Sequence, residues 1–308
     1  MRALRPLAFV AVVGTVSLAA QRPPVNDSGR FRSGVELISI TATVLDRDGR
    51  LIKDLPREAF DVYEDSELQT ITQFTHERVP ISLAVLLDVS DSMYGQRLVD
   101  ARTAVERFLL ELLDPEDEFL VLGFNHQPHI LTQWTNNAAI MRSGLDGLRP
   151  SGATALYDAV LAALPFMENR ARKRAALVVI SDGADTASDA TLRDVRSALL
   201  RSDAFAYAIA IDSTARRAIN RQVSPSALSE ITDPSGGRTE VVHDTADLMA
   251  ATSRIADELN SQYVLAYNSP RGSDGKFHSI RVRVRGLDYR VRARTGYIAG
   301  PTPVPAKN

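Results

Sequence analysis

The sequence predicts an α/β protein, a doubly wound and mainly parallel sheet with a smaller β-sandwich-like domain formed from both chain ends. Three observations carry that expectation. Apolar runs of strand length, Leu83–Leu87, Phe119–Phe124, Ala175–Ile180 and Phe205–Ile211, alternate with amphipathic helical stretches. Continuous apolar runs are what strands need when helices cover both faces of their sheet. The segments on either side of this region read as short strands rich in Val, Ile and Thr or alternating apolar with basic residues. The leading β segment, residues 33–78, is about 45 residues long and too small to close a core of its own.

The elements follow in chain order. Arg2 and Arg5, the apolar run Leu7–Ala20, and the small residues Ser17 and Ala19 read as an export signal over 1–19. An uncleaved anchor is the alternative. Residues 20–32 are polar and form a linker. Val35–Leu45, Phe60–Glu64 and Leu68–Phe74 read as strands, and Asp46-Arg47-Asp48-Gly49 supplies turn chemistry. The α/β domain is expected over 79–268, with helices at Val99–Leu113, Ala138–Leu148, Ala155–Met167, Thr191–Leu200 and Thr245–Leu259. Ile130–Trp134 reads as an edge strand, Pro225–Ile231 as a short helix or turn, and Thr239–Val242 and Gln262–Tyr267 as further strands. Residues 269–298 are expected to form a β hairpin around Gly286-Leu287-Asp288 that packs on the N-terminal segment. Pro301, Pro303 and Pro305 mark 299–308 as a disordered tail.

Composition narrows the function classes. The chain of 308 residues has no cysteine, which excludes disulfides, thiolate zinc sites and a cysteine nucleophile. A net charge of −2 does not suggest nucleic acid. His126, His129, His243 and His278 are scattered without zinc-ligand spacing and read as surface or loop residues. No nucleophile elbow, phosphate loop or dinucleotide fingerprint is present. Trp134 reads as a packing residue.

The chemistry gathers at Asp88-Val89-Ser90-Asp91-Ser92, directly after the run Leu83–Leu87. Ligand crevices of open α/β sheets lie outside the carboxyl ends of the strands, so Asp88, Ser90 and Ser92 stand where a ligand would sit. Thr154 lies in a loop before a helix, and Asp182 follows the strand Ala175–Ile180. One or two carboxylates with several hydroxyls suit a hard cation, Mg2+ or else Mn2+ or Ca2+. An ion so poorly supplied with charge attracts an acidic group from outside. Taken alone, an Asp with two serines also serves turns, where it satisfies loop amides. The strand context, Thr154 and Asp182 favour the metal. Asp91 and Asp185 flank the set and read as solvent-facing charges.

On these residues the chain resembles a von Willebrand factor type A domain with a metal-ion-dependent adhesion site, over about 79–268. The pattern Asp-x-Ser-x-Ser, then Thr, then Asp matches at Asp88, Ser90, Ser92, Thr154 and Asp182. With its β segments before and after, the whole chain is similar to exported bacterial proteins of this type. The resemblance implies that Asp88, Ser90 and Ser92 ligate a metal directly or through water. It further implies that Thr154 joins when a partner binds and that Asp182 acts through a bridging water. The open position would take an Asp or Glu carboxylate of a protein partner. The expectation is thus an exported adhesion or assembly module, secreted or periplasmic, with no transmembrane span after cleavage and no nucleic-acid partner. The alternative is an envelope component in which the metal only stabilises the fold. A metal-dependent phosphoester hydrolase is less favoured, since no general base or second metal cluster supports it and Ser90 stands where aspartate-nucleophile phosphatases carry a second Asp. No enzyme is expected.

Residues Arg271–Arg294 carry eight Lys or Arg against Asp274 and Asp288. A solvated face, an anionic partner such as envelope polysaccharide, and packing beside Asp61, Glu64, Asp65 and Glu67 all fit this surplus. Packing beside the acidic segment is the favoured of the three.

Overall fold

A computed structural model describes residues 36–181, 185–211, 225–286 and 288–300. The expected leader, the linker, Asp182 and the residues beyond Gly300 lie outside the described residues. The chain opens with strands β1 (Glu36–Leu45), β2 (Phe60–Glu64), β3 (Glu67–Gln69) and β4 (Ile71–Thr75). It continues through β5 (Ile81–Asp88), α1 (Gln96–Arg107), β6 (Glu118–Phe124), β7 (Pro128–Thr135), α2 (Ala138–Leu145) and α3 (Leu156–Glu168). Then come β8 (Arg174–Ser181), α4 (Leu192–Arg201), β9 (Phe205–Ile211), α5 (Pro225–Thr232), β10 (Thr239–Val242) and α6 (Thr245–Leu259). Strands β11 (Tyr263–Ser269), β12 (Phe277–Val284), β13 (Arg290–Ala293) and β14 (Gly296–Ile298) follow.

The central sheet has the order β10-β9-β8-β5-β6-β7, parallel throughout except for the antiparallel edge strand β7. Strand periodicity explains its two cores. Leu83, Val85 and Leu87 of β5 point to one face, where Ala101 and Val105 of α1 and Leu248 and Ile255 of α6 cover them. Ala84 and Leu86 point to the other, under Leu156 and Val160 of α3, Val195 of α4 and Leu228 of α5. Every residue of β5 is buried, and each large aliphatic side chain so removed from water contributes roughly 1.5–3 kcal/mol.

The remaining strands form two antiparallel sheets, β13-β1-β11-β4 and β14-β12-β2-β3, so the sandwich is built from both chain ends. Ile40, Val44, Phe60, Val62, Leu265 and Ile280 lie in the core between them. Four expectations about this part need correction. The run Leu68–Phe74 is not one strand: the chain breaks at Thr70, and β3 pairs with β2 while β4 pairs with β11 in the other sheet. The expected hairpin at 269–298 does not form. Strand β12 pairs with β2 and β14, whereas β13 pairs with β1, because each strand buries its apolar side from the opposite sheet. Strand β11, expected to close the α/β domain at 268, pairs with β1 and β4 instead. Ala299, expected in a disordered tail, is fully buried, and its N–H donates to the Lys276 carbonyl at 3.0 Å.

Acidic residues of the first strands do meet the basic ones of the last. Arg285 donates through Nε to Asp61 at 2.9 Å, and Arg271 pairs with Glu67 at 3.0 Å. His278, expected at the surface, is instead buried in β12 between Asp65 at 2.8 Å and Asp274 at 3.1 Å. Burial opposes its charge, but the hydrogen bonds and charges of the two carboxylates outweigh this and raise its pKa.

A buried polar knot joins the sandwich to the α/β layer. Glu258 of α6 is almost fully buried and accepts from Thr43 Oγ1 of β1 at 3.1 Å and from Tyr207 OH of β9 at 2.9 Å. It also accepts from Arg238 Nε at 3.1 Å and from Arg292 of β13 at 2.5 Å. Beside it Arg174 donates to the carbonyls of Val79 and Leu259 and to the Gln262 side chain. Burial pushes the Arg174 pKa down to about 10, which leaves it charged at neutral pH.

Gly237 lies where the backbone before β10 crosses β9. A Cβ there would stand 1.9 Å from the Ala206 carbonyl oxygen, so no side chain fits without moving a central strand. Gly237→Ala should cost about 3 kcal/mol in urea-induced unfolding, a value typical of severe overpacking. A loss below about 1 kcal/mol would show that the backbone yields there.

Candidate metal centre

Asp88 ends β5 and is fully buried. Its Oδ1 accepts the Ser90 N–H at 2.8 Å, an Asx-type turn that starts the loop away from the sheet. The Ser181 hydroxyl, at the end of neighbouring β8, donates to its Oδ2 at 2.5 Å. The carboxylate is therefore fixed from two sides. Met93, fully buried under a short 3-10 turn at Asp91–Met93, anchors the far end of the loop.

A second loop is laced to the first. The Ser151 N–H donates to the Val89 carbonyl and the Asp91 N–H to the Gly152 carbonyl, both at 2.9 Å. Gly152 takes φ +75°, and a Cβ there would come within 3.0 Å of His126 Nδ1, so a small residue suits this crossing. Asn125, also buried, accepts the Ala155 N–H on its carbonyl at 2.6 Å and donates from Nδ2 to Ser151 Oγ at 3.2 Å. Thr154 is thereby held at the foot of α3, 2% exposed, and its N–H donates to Thr186 Oγ1 at 3.0 Å.

Of the five residues singled out in the sequence, Asp88, Ser90, Ser92 and Thr154 lie on these two interlaced loops at the carboxyl edge of the sheet. Asp182 lies outside the described residues, one position beyond Ser181. The Ser90 and Ser92 hydroxyls are 2.9 Å apart. That distance suits a hydrogen bond, and it also equals roughly the edge of an octahedron with 2.0–2.1 Å metal–oxygen bonds. Among the described residues no group of three or more His, Cys, Asp or Glu could hold a metal; the oxygen donors gathered here are of the kind that hard cations take. On donor type and spacing, the residues fit a small divalent cation.

Asp91 is exposed, as expected. Asp185, expected to face solvent, is spent on the first turn of α3 and on its own loop, accepting the Tyr157 N–H at 3.2 Å and the Ser188 hydroxyl at 2.5 Å. Trp134 packs against the helix layer and donates from Nε1 to the Phe166 carbonyl at 3.1 Å. Sequence reasoning missed Ser181 and Asn125. The signal for Ser181 was a hydroxyl residue closing an otherwise apolar buried strand; for Asn125 there was none beyond its position after β6.

An open α/β sheet with an oxygen-rich set on interlaced loops at its carboxyl edge defines a class of ligand-binding domain. Residues 83–184 match the model of the von Willebrand factor type A domain. The central sheet and its helices therefore have a von Willebrand factor A-like α/β fold, with antiparallel sheets added to it. A curated protein of Synechocystis sp., uncharacterized protein sll0103, is 31% identical over 83 residues, 26% of this chain. The match spans only about a fifth, 20%, of that relative's length. A von Willebrand factor type A structure from Catenulispora acidiphila aligns over 87% of this chain and 74% of its own, at TM-score 0.52 and 12% identity. Proximal thread matrix protein 1 from the mussel byssus aligns over 64% of this chain and 51% of its own, at TM-score 0.52 and 14% identity. Both likenesses concern the fold.

Proposed function

We propose that the protein is an exported, divalent-metal-dependent binding module that captures an acidic residue of a protein partner for adhesion or complex assembly. The observation that carries this reading is the convergence of Asp88, Ser90, Ser92 and Thr154 on two loops pinned to each other. Asp88, Ser90, Ser92, Thr154 and Asp182 would hold Mg2+, or Mn2+ or Ca2+ in its place. The bound ion would supply positive charge with a coordination position for a carboxylate. The chain's own part is orientation. Ser181 and the Ser90 N–H fix the Asp88 carboxylate, and burial of Asp88 keeps competing water from it. No described helix is long and apolar enough to cross a membrane. The basic, apolar leader supports export to the periplasm or exterior.

Calorimetric titration of Mg2+ or Mn2+ into the full chain tests the reading. One site is expected, and Ser90→Ala with Ser92→Ala should weaken it by at least about 100-fold while far-UV and near-UV spectra stay unchanged. Equal affinity in the double variant would remove these serines from the site.

A further inference from the structure

The imidazole of His278 stands between two carboxylates, with Nδ1 2.8 Å from Asp65 Oδ2 and Nε2 3.1 Å from Asp274 Oδ1. A neutral imidazole has one N–H and the cation two, so both bonds are made only when His278 is charged. The two carboxylates are held differently. Asp65, in the turn between β2 and β3, also accepts the Ser279 N–H at 2.9 Å and the Ser279 hydroxyl at 3.2 Å. Asp274 lies on the exposed connection from β11 to β12 and accepts the Lys276 N–H at 2.9 Å, a bond inside that connection. Gly272 and Gly275 flank it with φ of +63° and +75°, left-handed conformations that glycine takes without strain. Other charged and titratable groups face this arrangement. Arg271 is 3.7 Å from Asp65 and 3.0 Å from Glu67, and Lys276 is 4.0 Å from Asp274. The Tyr297 ring of β14 lies 5.5 Å from the imidazole, and its hydroxyl donates to buried Glu64 at 2.7 Å. The hydrogen bond from His278 holds Asp65 below the usual carboxylate range, and the Lys276 N–H does the same for Asp274. Burial pushes the Tyr297 hydroxyl up. Among the imidazole, these two carboxylates and the tyrosine, His278 is the one whose charge changes near neutral pH.

We propose that His278 is a proton-operated clasp, which as a cation ties the loop 272–276 to the β2–β3 turn and on losing a proton lets that loop go. The N–H that remains stays on Nδ1, where the bond is the shorter and Ser279 fixes Asp65 in place. Nε2 then turns a lone pair toward Asp274 Oδ1, and two acceptors 3.1 Å apart repel. The bond between Asp274 and the Lys276 N–H moves with the loop, and the two glycines supply the hinges. Burial disfavours the imidazolium, but the hydrogen bonds to Asp65 and Asp274 outweigh it, so the folded pKa lies above the unfolded value of about 6.5. The clasp contributes fully below that value, and its contribution is lost as pH rises through the higher folded one. Acid closes the loop and alkali opens it.

The chain has no cysteine, so a nitroxide attached at Ser273→Cys, an exposed position, reports on this loop alone. Its spectrum in the full chain, followed from about pH 5.5 to about pH 9, should pass from immobile to mobile through a midpoint above that of an ordinary histidine. The ratio of mobile to immobile label should rise at least about tenfold, as loss of a hydrogen bond to a charged group implies, while the far-UV spectrum stays unchanged. His278→Gln should remove the midpoint, and Asp274→Ala should leave the label mobile at every pH. Asp274→Ala alters only an exposed loop residue, so it decides the matter should the buried His278→Gln fail to fold. Mobility that ignores pH in the wild-type background, or the same midpoint in folded His278→Gln, overturns the proposal. So does a label that is immobile or still pH-dependent in Asp274→Ala.

Discussion

Asp88→Asn should abolish the Mg2+-dependent rise in melting temperature and leave the chain as stable in chelator as the wild type, or more so. The side chain is fully buried, and its two oxygens are oriented by the Ser90 N–H and the Ser181 hydroxyl. Asparagine keeps the shape and one acceptor oxygen but removes the negative charge. Burying a carboxylate carries a larger desolvation cost than burying an amide of the same shape. With metal the order reverses. A ligand at 100 times its dissociation constant stabilises the wild type by about 2.7 kcal/mol, several degrees for a chain of this size. The variant should gain nothing. Differential scanning calorimetry in chelator and in excess Mg2+ gives both comparisons, and an equal metal-induced shift in the two proteins would take Asp88 out of the site.

Glu258→Ala should be among the most destabilising single changes in the molecule, about 3 kcal/mol or more by urea denaturation. Glu258 is the common acceptor of Thr43, Tyr207, Arg238 and Arg292. Truncation leaves the Arg292 guanidinium, 18% exposed, without its anion and Tyr207 without an acceptor. Arg238 is 30% exposed and retains water contact, which keeps the loss toward the lower end of the range for broken buried pairs. Glu258→Gln, which preserves volume and an acceptor, should fall between. If alanine costs less than about 1 kcal/mol, the knot is incidental to the joining of the two layers.

The legibility of the fold followed the range of the interactions behind it. Helix α6 is readable over Thr245–Leu259 because its apolar stripe and its Asp244 cap are local. The buried strands β8 and β9 are readable because a strand covered on both faces must be apolar throughout. The split at Thr70 and the parting of β12 from β13 were not readable. Alternation tells which side of a strand is buried, but not which of two facing sheets it joins. The same holds for His278, whose burial depends on Asp65, distant in sequence. At the candidate centre, the ligand pattern stood out because its residue types and its place after a buried strand coincide. Ser181 did not, since a serine ending a strand carries no signature until Asp88 is known to lie beside it.

The weaving of both chain ends into one sandwich bears on how the molecule is made. Glu36 lies opposite Ser269 and Leu45 opposite Arg290, so β1 finds its partners only after more than two hundred intervening residues have emerged from the ribosome. The α/β layer, with shorter-range pairings, can order first and draw the two ends together, replacing a long open loop by a short gap. Until then β1 to β4 present unpaired strand edges and apolar side chains, the kind of surface that aggregates and that holding chaperones guard. Mutations that slow ordering of the α/β layer should therefore lower yield through the waiting strands, even where the finished protein would be stable.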